Sequence, residues 1–207
     1  MIRAQNLYHS YNHDMALDNI NLQINKGDFI AITGESGSGK STLLSILSTL
    51  LKPSKGELFF EQTNYKDITN IDTFRQQNIG FIFQFHYLIN YLTLQENIQI
   101  ANEQATSKEI EALFERLDIQ NIQKRFPNEV SGGQKQRAAI ARALINQPKV
   151  IFADEPTGNL DSHNSLNVFN LFKELSDKGT TIVVATHDLK LAQLANNVYE
   201  VKDGQLQ

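Results

Sequence analysis

The sequence predicts an α/β fold, because short apolar runs alternate with segments that repeat apolar residues at helical spacing. Phe29 to Ile32 has the character of a buried strand, a glycine-rich turn follows it, and Thr42-Leu43-Leu44-Ser45-Ile46-Leu47 then places apolar residues on one helical face. Val150 to Ala153 is another apolar strand, followed by a loop over Pro156 to Asp161, a helix over Ser162 to Asp177, a turn at Gly179 and a strand over Thr180 to Ala185. With 207 residues, 41% hydrophobic and 20% charged, the chain has the apolar content for one domain with room for an inserted lobe.

Taken in order, Ile2 to Leu7 alternates like an edge strand, and Ala16 to Ile24 alternates again before a turn at Asn25-Lys26-Gly27-Asp28. Both are expected to lead into the strand at Phe29. Tyr11 lies on a polar linker between the first two strands; Tyr8 competes with it as an aromatic contact, and spacing favours neither over plain packing.

The central stretch is Gly34 to Ser41, which fits G-x-x-x-x-G-K-[ST] without a mismatch and sits between strand and helix. Glycines let successive backbone N–H groups turn inward as an anion nest, and the helix N-terminus adds partial positive charge. Gly34, Glu35, Ser36, Gly37, Ser38, Gly39, Lys40, Ser41 and Thr42 are therefore expected to hold phosphates, as in ATP. Lys40 would reach the β/γ-phosphates, and the Ser41 hydroxyl would ligate the Mg²⁺ that bridges them.

Beyond that helix, Lys52 to Gly56 forms a turn, Glu57 to Phe60 a short strand, and Ile79 to Phe83 a strand that delivers Gln84 at its tip. From Phe85 the chain is aromatic and irregular as far as Leu92, and Ser107 to Leu117 has an amphipathic helical pattern with Ser107 as candidate N-cap. Residues 85 to about 130 are expected to be an inserted helical lobe. Ser131-Gly132-Gly133-Gln134 then opens a helix over Lys135 to Asn146, a second glycine-rich helix start that predicts another phosphate contact. No Lys-Ser pair follows it, so it is not a complete nucleotide site. Asp154 and Glu155 end the strand from Val150, with Asp154 expected to serve a metal. Period two would turn Glu155 to the opposite face, toward a water beyond the γ-phosphate. His187 follows the strand Thr180 to Ala185 at its C-terminal end, where open α/β sheets bind ligands.

Lys and Arg number 19 against 23 Asp and Glu, a net charge of −4 with no basic block, which argues against nucleic acid as the main partner. There is no cysteine, so disulfides and thiolate metal sites are excluded. No leader pattern at Met1 and no bilayer-length apolar run are visible, and the expectation is a cytoplasmic chain whose membrane role comes through a partner.

The ordered set is similar to the nucleotide-binding domain of ATP-binding cassette (ABC) transporters, from about Ile2 to Gln205. The resemblance rests on the P-loop, on Gln84 as the Q-loop, and on Val130-Ser131-Gly132-Gly133-Gln134 as the signature. Asp154-Glu155 matches Walker B, Asn159-Leu160-Asp161 the D-loop and His187 the switch. Residues 83–88 and 153–162 resemble the MacB/LolD-type branch, which contains lipoprotein-release, macrolide-export and antimicrobial-peptide-resistance ATPases. Val130 departs from the usual Leu, the lobe around Ala101 to Thr106 is short, and little follows the last strand.

The resemblance implies one ABC ATPase domain over 1–207: a mostly parallel RecA-like core from 1–84 and 131–207 with an antiparallel β subdomain, and a helical lobe over 85–130. It implies that Tyr11 stacks on adenine, that Ser41, Gln84 and Asp154 serve Mg²⁺ directly or through water, and that Glu155 is the general base. His187 would hold the γ-phosphate. Two copies would face head to tail, so that Ser131, Gly132, Gly133, Gln134 and the D-loop Asp161 complete the ATP site of the other copy. A membrane permease would dock near Phe85, Tyr87, Leu88 and Tyr91 at the inner face of the membrane, and hydrolysis would power export or extraction of a peptide, lipoprotein or drug-like cargo. A soluble ABC ATPase acting on DNA or ribosomes is the alternative; such chains usually carry a long coiled-coil insertion or a second cassette, and neither is visible. A P-loop kinase would not need Ser131 to Gln134.

Overall fold

A computed structural model describes residues 1–12 and 14–207, and places them in two sheets that share the helix following the glycine-rich turn. The elements run β1 (Ile2–Tyr11), β2 (Asp14–Ile24), β3 (Phe29–Thr33), α1 (Lys40–Leu47), β4 (Lys55–Phe60), β5 (Thr63–Asn64), α2 (Ile71–Asn78) and β6 (Ile79–Ile82). They continue through α3 (Leu94–Gln99), α4 (Ser107–Arg116), α5 (Gly132–Leu144), β7 (Val150–Asp154), α6 (Ser162–Asp177), β8 (Thr181–Ala185), α7 (Leu189–Ala192), β9 (Asn197–Lys202) and β10 (Gln205–Leu206).

The larger sheet has the order β10-β9-β3-β8-β7-β6. Its strands β9, β3, β8, β7 and β6 are parallel and β10 is antiparallel to β9. Side-chain alternation divides the core between its two faces. Phe29, Ala31, Ile151, Ala153, Ile182 and Val184 join the buried residues of α3, α4, α5 and α6 on one side. Ile30, Ile32, Phe152 and Val183 pack with the apolar face of α1 and with the second sheet on the other.

That second sheet is antiparallel, in the order β2-β1-β4-β5. It corrects two expectations. The strand from Ile2 is not at an edge, because Ala4 pairs with Leu22 on one side and with Leu58 on the other, and the second partner lies some fifty residues along the chain where local alternation carries no trace of it. Tyr11 is not on a linker, since it ends β1 and pairs with Asp14. The first two strands also belong to this sheet and do not extend the sheet of β3.

Helix starts differ from the periodic pattern where capping boxes set them. Thr106, not Ser107, caps α4, because Glu109 stands three residues on and closes the box. Ser131 caps α5 with Gln134 returning the bond, so α5 begins at Gly132 and not at Lys135. Thr93 and Glu96 do the same for α3, a helix too short for its periodicity to be visible. α2 buries no residue, which explains why its apolar spacing is weak.

Candidate functional site

Because β3, β6, β7 and β8 are parallel, their C-terminal ends lie along one edge of the sheet, and residues far apart in sequence meet there. The edge borders a cleft of about 660 Å³ whose lining includes Tyr11, Lys40, Ser41, Gln84, Glu155 and His187. Ser36, Gly37, Gly39 and Thr42 line it as well.

The P-loop backbone needs its glycines for space as well as for conformation. Gly34 has φ 141° and a Cβ there would stand 2.2 Å from the Val201 carbonyl oxygen; Gly39 has φ 114° and a Cβ would stand 2.5 Å from that of Ala16. No side chain caps α1, whereas Asn70, Thr93, Thr106, Ser131, Asp161 and Asp188 cap α2 through α7 among the described residues. The first-turn N–H groups of α1 are thus left for an anion.

Lys40, only 7% exposed, donates from Nζ to the carbonyl oxygens of Gly34 and Glu35, each at 2.8 Å. The ammonium is therefore folded back onto the loop it would serve. Ser41 Oγ donates to Asp154 Oδ1 at 3.0 Å, joining P-loop and β7. Burial pushes the Asp154 carboxyl above its usual range, and neighbouring Glu155 pushes the same way, while the Ser41 bond and the Lys40 charge oppose them.

Glu155 reaches the cleft by a different route from the one strand alternation predicts. β7 ends at Asp154, and Glu155 has φ 44° with its N–H donating to the Ala185 carbonyl at 3.0 Å, so a left-handed turn aims its carboxylate. Its Oε2 lies 2.9 Å from His187 Nδ1; a carboxylate can only accept, so Nδ1 carries the hydrogen. Gln84 follows Phe83, just beyond β6, and its side chain packs on Gly158, where a Cβ would come 2.9 Å from Gln84 Nε2. Asn159 Nδ2 donates to the Gln84 carbonyl at 3.3 Å.

Ser131, Gly132, Gly133, Gln134 and Asp161 do not line this cleft. Ser131 and Gln134 are engaged in their capping box, Gly132 faces the Asn159 carbonyl, and Gly133 packs on the Asn164 side chain. Asp161 caps α6, and its bonds from Asn164 N (2.9 Å) and Nδ2 (2.6 Å) hold its carboxyl below the usual range.

Residues absent from the sequence expectations also appear. Asp14, Met15 and Ala16 line the cleft beside Tyr11 because the β1–β2 hairpin brings them there, a placement visible only through the Tyr11–Asp14 pairing. The β9–β10 hairpin braces the P-loop from behind, with Gly204 N donating to the Ser38 carbonyl at 3.0 Å. Beyond the cleft, Phe85, Tyr87 and Tyr91 are 64%, 62% and 81% exposed, an aromatic face on the segment after Gln84. Leu88 separates from them and packs on the core.

Residues 17–158 match the ABC transporter family. The chain belongs to that family. The lipoprotein-releasing system ATP-binding protein LolD of Aquifex aeolicus is 42% identical over 214 residues, covering all of this chain and 96% of the relative. The macrolide export ATP-binding/permease protein MacB of Campylobacter jejuni is 41% identical over 214 residues, covering all of this chain and 33% of that longer protein. A dimeric ATP-binding cassette solved in a post-hydrolysis state with ADP and Pi superposes with a TM-score of 0.92 at 36% identity, covering all of this chain and 97% of the other. The cassette is an ABC ATPase of the kind coupled to transport, and its resemblance to the LolD and MacB branch is borne out.

Proposed function

We propose that two copies of this cassette associate head to tail on ATP and power a separate membrane permease that exports or extracts a peptide, lipoprotein or drug-like cargo. The observation that carries the reading is the separation of two anion-binding elements. P-loop residues, Glu155 and His187 share one cleft, with Asp154 joined to it through Ser41, while Ser131 to Gln134 lie outside it, beside residues 159–164 of the same chain. A glycine-rich helix start that cannot reach its own chain's phosphates fits one that closes over those of a second copy, with Asp161 beside it. The likeness to a dimeric cassette supports the same arrangement.

In this reading Tyr11, 51% exposed at the cleft, stacks on adenine, and Gly34 to Thr42 hold the phosphates. Lys40 exchanges its two carbonyl contacts for the β/γ-phosphates. Ser41 and Asp154, with Gln84 directly or through water, fit Mg²⁺: their oxygens are hard donors 3.0 Å apart, and a divalent cation would offset the burial cost on the Asp154 carboxylate. No group of three or more His, Cys, Asp or Glu side chains placed to hold a metal occurs among the described residues, which suits an ion that relies on phosphate and water for most of its shell. Bound there, Mg²⁺ would neutralise charge on the phosphoryl group in transfer. Glu155 keeps Oε2 on His187 and accepts the proton of the attacking water at Oε1, while His187 orients the γ-phosphate.

With Mg-ATP, size-exclusion chromatography is expected to show a dimer, and Ser131→Arg to abolish it by placing a bulky side chain at the γ-phosphate. A parent chain that stays monomeric at saturating ATP overturns the composite site.

Residues 85–130 form the lobe that carries the docking face, and 1–84 with 131–207 form the core. The permease contacts Phe85, Tyr87 and Tyr91, with Leu88 anchoring the segment from beneath, and this holds the cassette at the inner face of the membrane. No described helix is long and apolar enough to cross a bilayer. Truncating an aromatic anchor costs on the order of 2 kcal/mol, so Tyr87→Ala and Tyr91→Ala are each expected to weaken co-purification of the membrane subunit while the variant stays folded. If both unfold, the rings belong to the core and the docking face is lost as a reading.

A further inference from the structure

The segment that presents the aromatic face is held in an unusual conformation. His86 and Tyr87 both have positive φ, 61° and 45°, two successive ring-bearing residues in a region that glycine occupies without steric cost. Histidine enters that region more readily than most residues, but tyrosine has no such preference, and two such residues in succession need support from their surroundings. Backbone bonds from His86 N to the Phe83 carbonyl (3.2 Å) and from Tyr87 N to the Phe85 carbonyl (2.6 Å) hold the turn from within, and one half-buried residue holds it from outside. Arg142, on the last turn of α5, donates from Nη2 to the His86 carbonyl and from Nη1 to the Tyr87 carbonyl, both at 2.6 Å. A guanidinium fork can grip two adjacent carbonyls at once, and they converge on it because the chain turns left-handed at both residues. Burial, together with the charges of Lys135 and Arg142, holds the His86 imidazole below its usual range, so that ring stays uncharged at neutral pH.

The other end of the segment is also tied down, by Asn159 through the Gln84 carbonyl. α5 begins at Gly132, ten residues before Arg142, and at 1.5 Å per residue the clamp lies about 15 Å along one helix from the signature. A packed helix of this length moves as a body.

We propose that Arg142 is a positioning residue: its two bonds to the His86 and Tyr87 carbonyls hold the left-handed turn that presents Phe85 and Tyr87, and they tie that turn to the helix that starts with the Ser131 to Gln134 signature. Displacement of the aromatic face is thereby delivered to the signature loop, and closure of the signature over a second copy's ATP is delivered back. What the aromatic face binds rests on the docking reading above; the clamp does not, and it can be tested on the chain alone.

The test is hydrogen exchange by mass spectrometry on full-length Arg142→Lys and Arg142→Gln without nucleotide, paired with ATP-driven dimerisation of the same proteins. Lysine keeps the charge but is shorter and offers one nitrogen in place of the two that reach the His86 and Tyr87 carbonyls. Both variants are expected to exchange about tenfold faster over residues 85–91, with exchange over 29–46 unchanged. Dimerisation is expected to need about tenfold more protein in Arg142→Lys. Unchanged exchange over 85–91 in Arg142→Lys overturns the clamp, as does faster exchange throughout that variant, which would make Arg142 a core residue. Faster local exchange with undiminished dimerisation overturns the link to the signature. If Arg142→Gln alone unfolds, the lysine variant decides by the same criteria. Intact capture of the permease by Tyr87→Ala would remove the docking reading while leaving the exchange result for Arg142 standing.

Discussion

Glu155→Gln is expected to stop turnover while leaving ATP bound. The amide preserves side-chain length, and its oxygen can still accept the hydrogen on His187 Nδ1 across the 2.9 Å contact, so the left-handed turn that aims residue 155 keeps its supports. What it loses is the capacity to accept a proton from water. General-base assistance is worth roughly 10²- to 10⁴-fold, so kcat should fall by at least about a hundredfold with little change in ATP affinity. Rapid-quench single-turnover experiments would show bound ATP persisting unhydrolysed. A kcat within a few-fold of the parent would mean that another group takes the proton.

Lys40→Ala is expected to lose ATP binding, and the structure gives the loss two parts. The ammonium contributes a charge-assisted contact to the β/γ-phosphates, on the order of 1.5–3 kcal/mol, or roughly ten- to a hundredfold and more in Kd. It also bonds the carbonyls of Gly34 and Glu35 in the absence of nucleotide, so its removal takes a donor from each, leaving Glu35's with the Ser38 N–H at 3.2 Å and the loop less ordered before ATP arrives. Isothermal titration should show affinity lowered beyond the tenfold level, and turnover should vanish. Parent-like hydrolysis by this variant would remove the P-loop from the mechanism.

The parts of the site that the sequence carries openly are those in which chemistry requires neighbouring residues. Gly34 to Ser41 must be contiguous to wrap a phosphate, and Asp154 must stand at a strand tip, so local pattern suffices for both. His187 is legible for the same reason, two residues past the end of β8. Glu155 shows the limit: it reaches the cleft as expected, but through a left-handed residue beyond the strand, because hydrogen bonding to Ala185 overrides the alternation that sequence periodicity assumes. Spacing leaves Tyr11 in competition with Tyr8 and only the family resemblance singles it out, whereas Met15 beside it depends on a hairpin register that alternation alone leaves open. The central position of β1 and the grip of Arg142 on residues 86 and 87 were hidden altogether, since each depends on a partner some fifty residues away along the chain.

The missing cap on α1 has a consequence outside catalysis. Every other α-helix among the described residues is finished by an acceptor from its own sequence; this one is finished from solution. Nucleotide is then part of what holds the folded chain together, and the stabilisation grows as RT ln(1 + [L]/Kd), about 2.7 kcal/mol at a hundredfold excess over Kd. That is a substantial share of the 5–15 kcal/mol by which a domain is ordinarily stable. Occupancy of the P-loop is therefore expected to raise the melting temperature of the chain and to slow its proteolysis, with ADP contributing as ATP does because both bring phosphates to the same helix start.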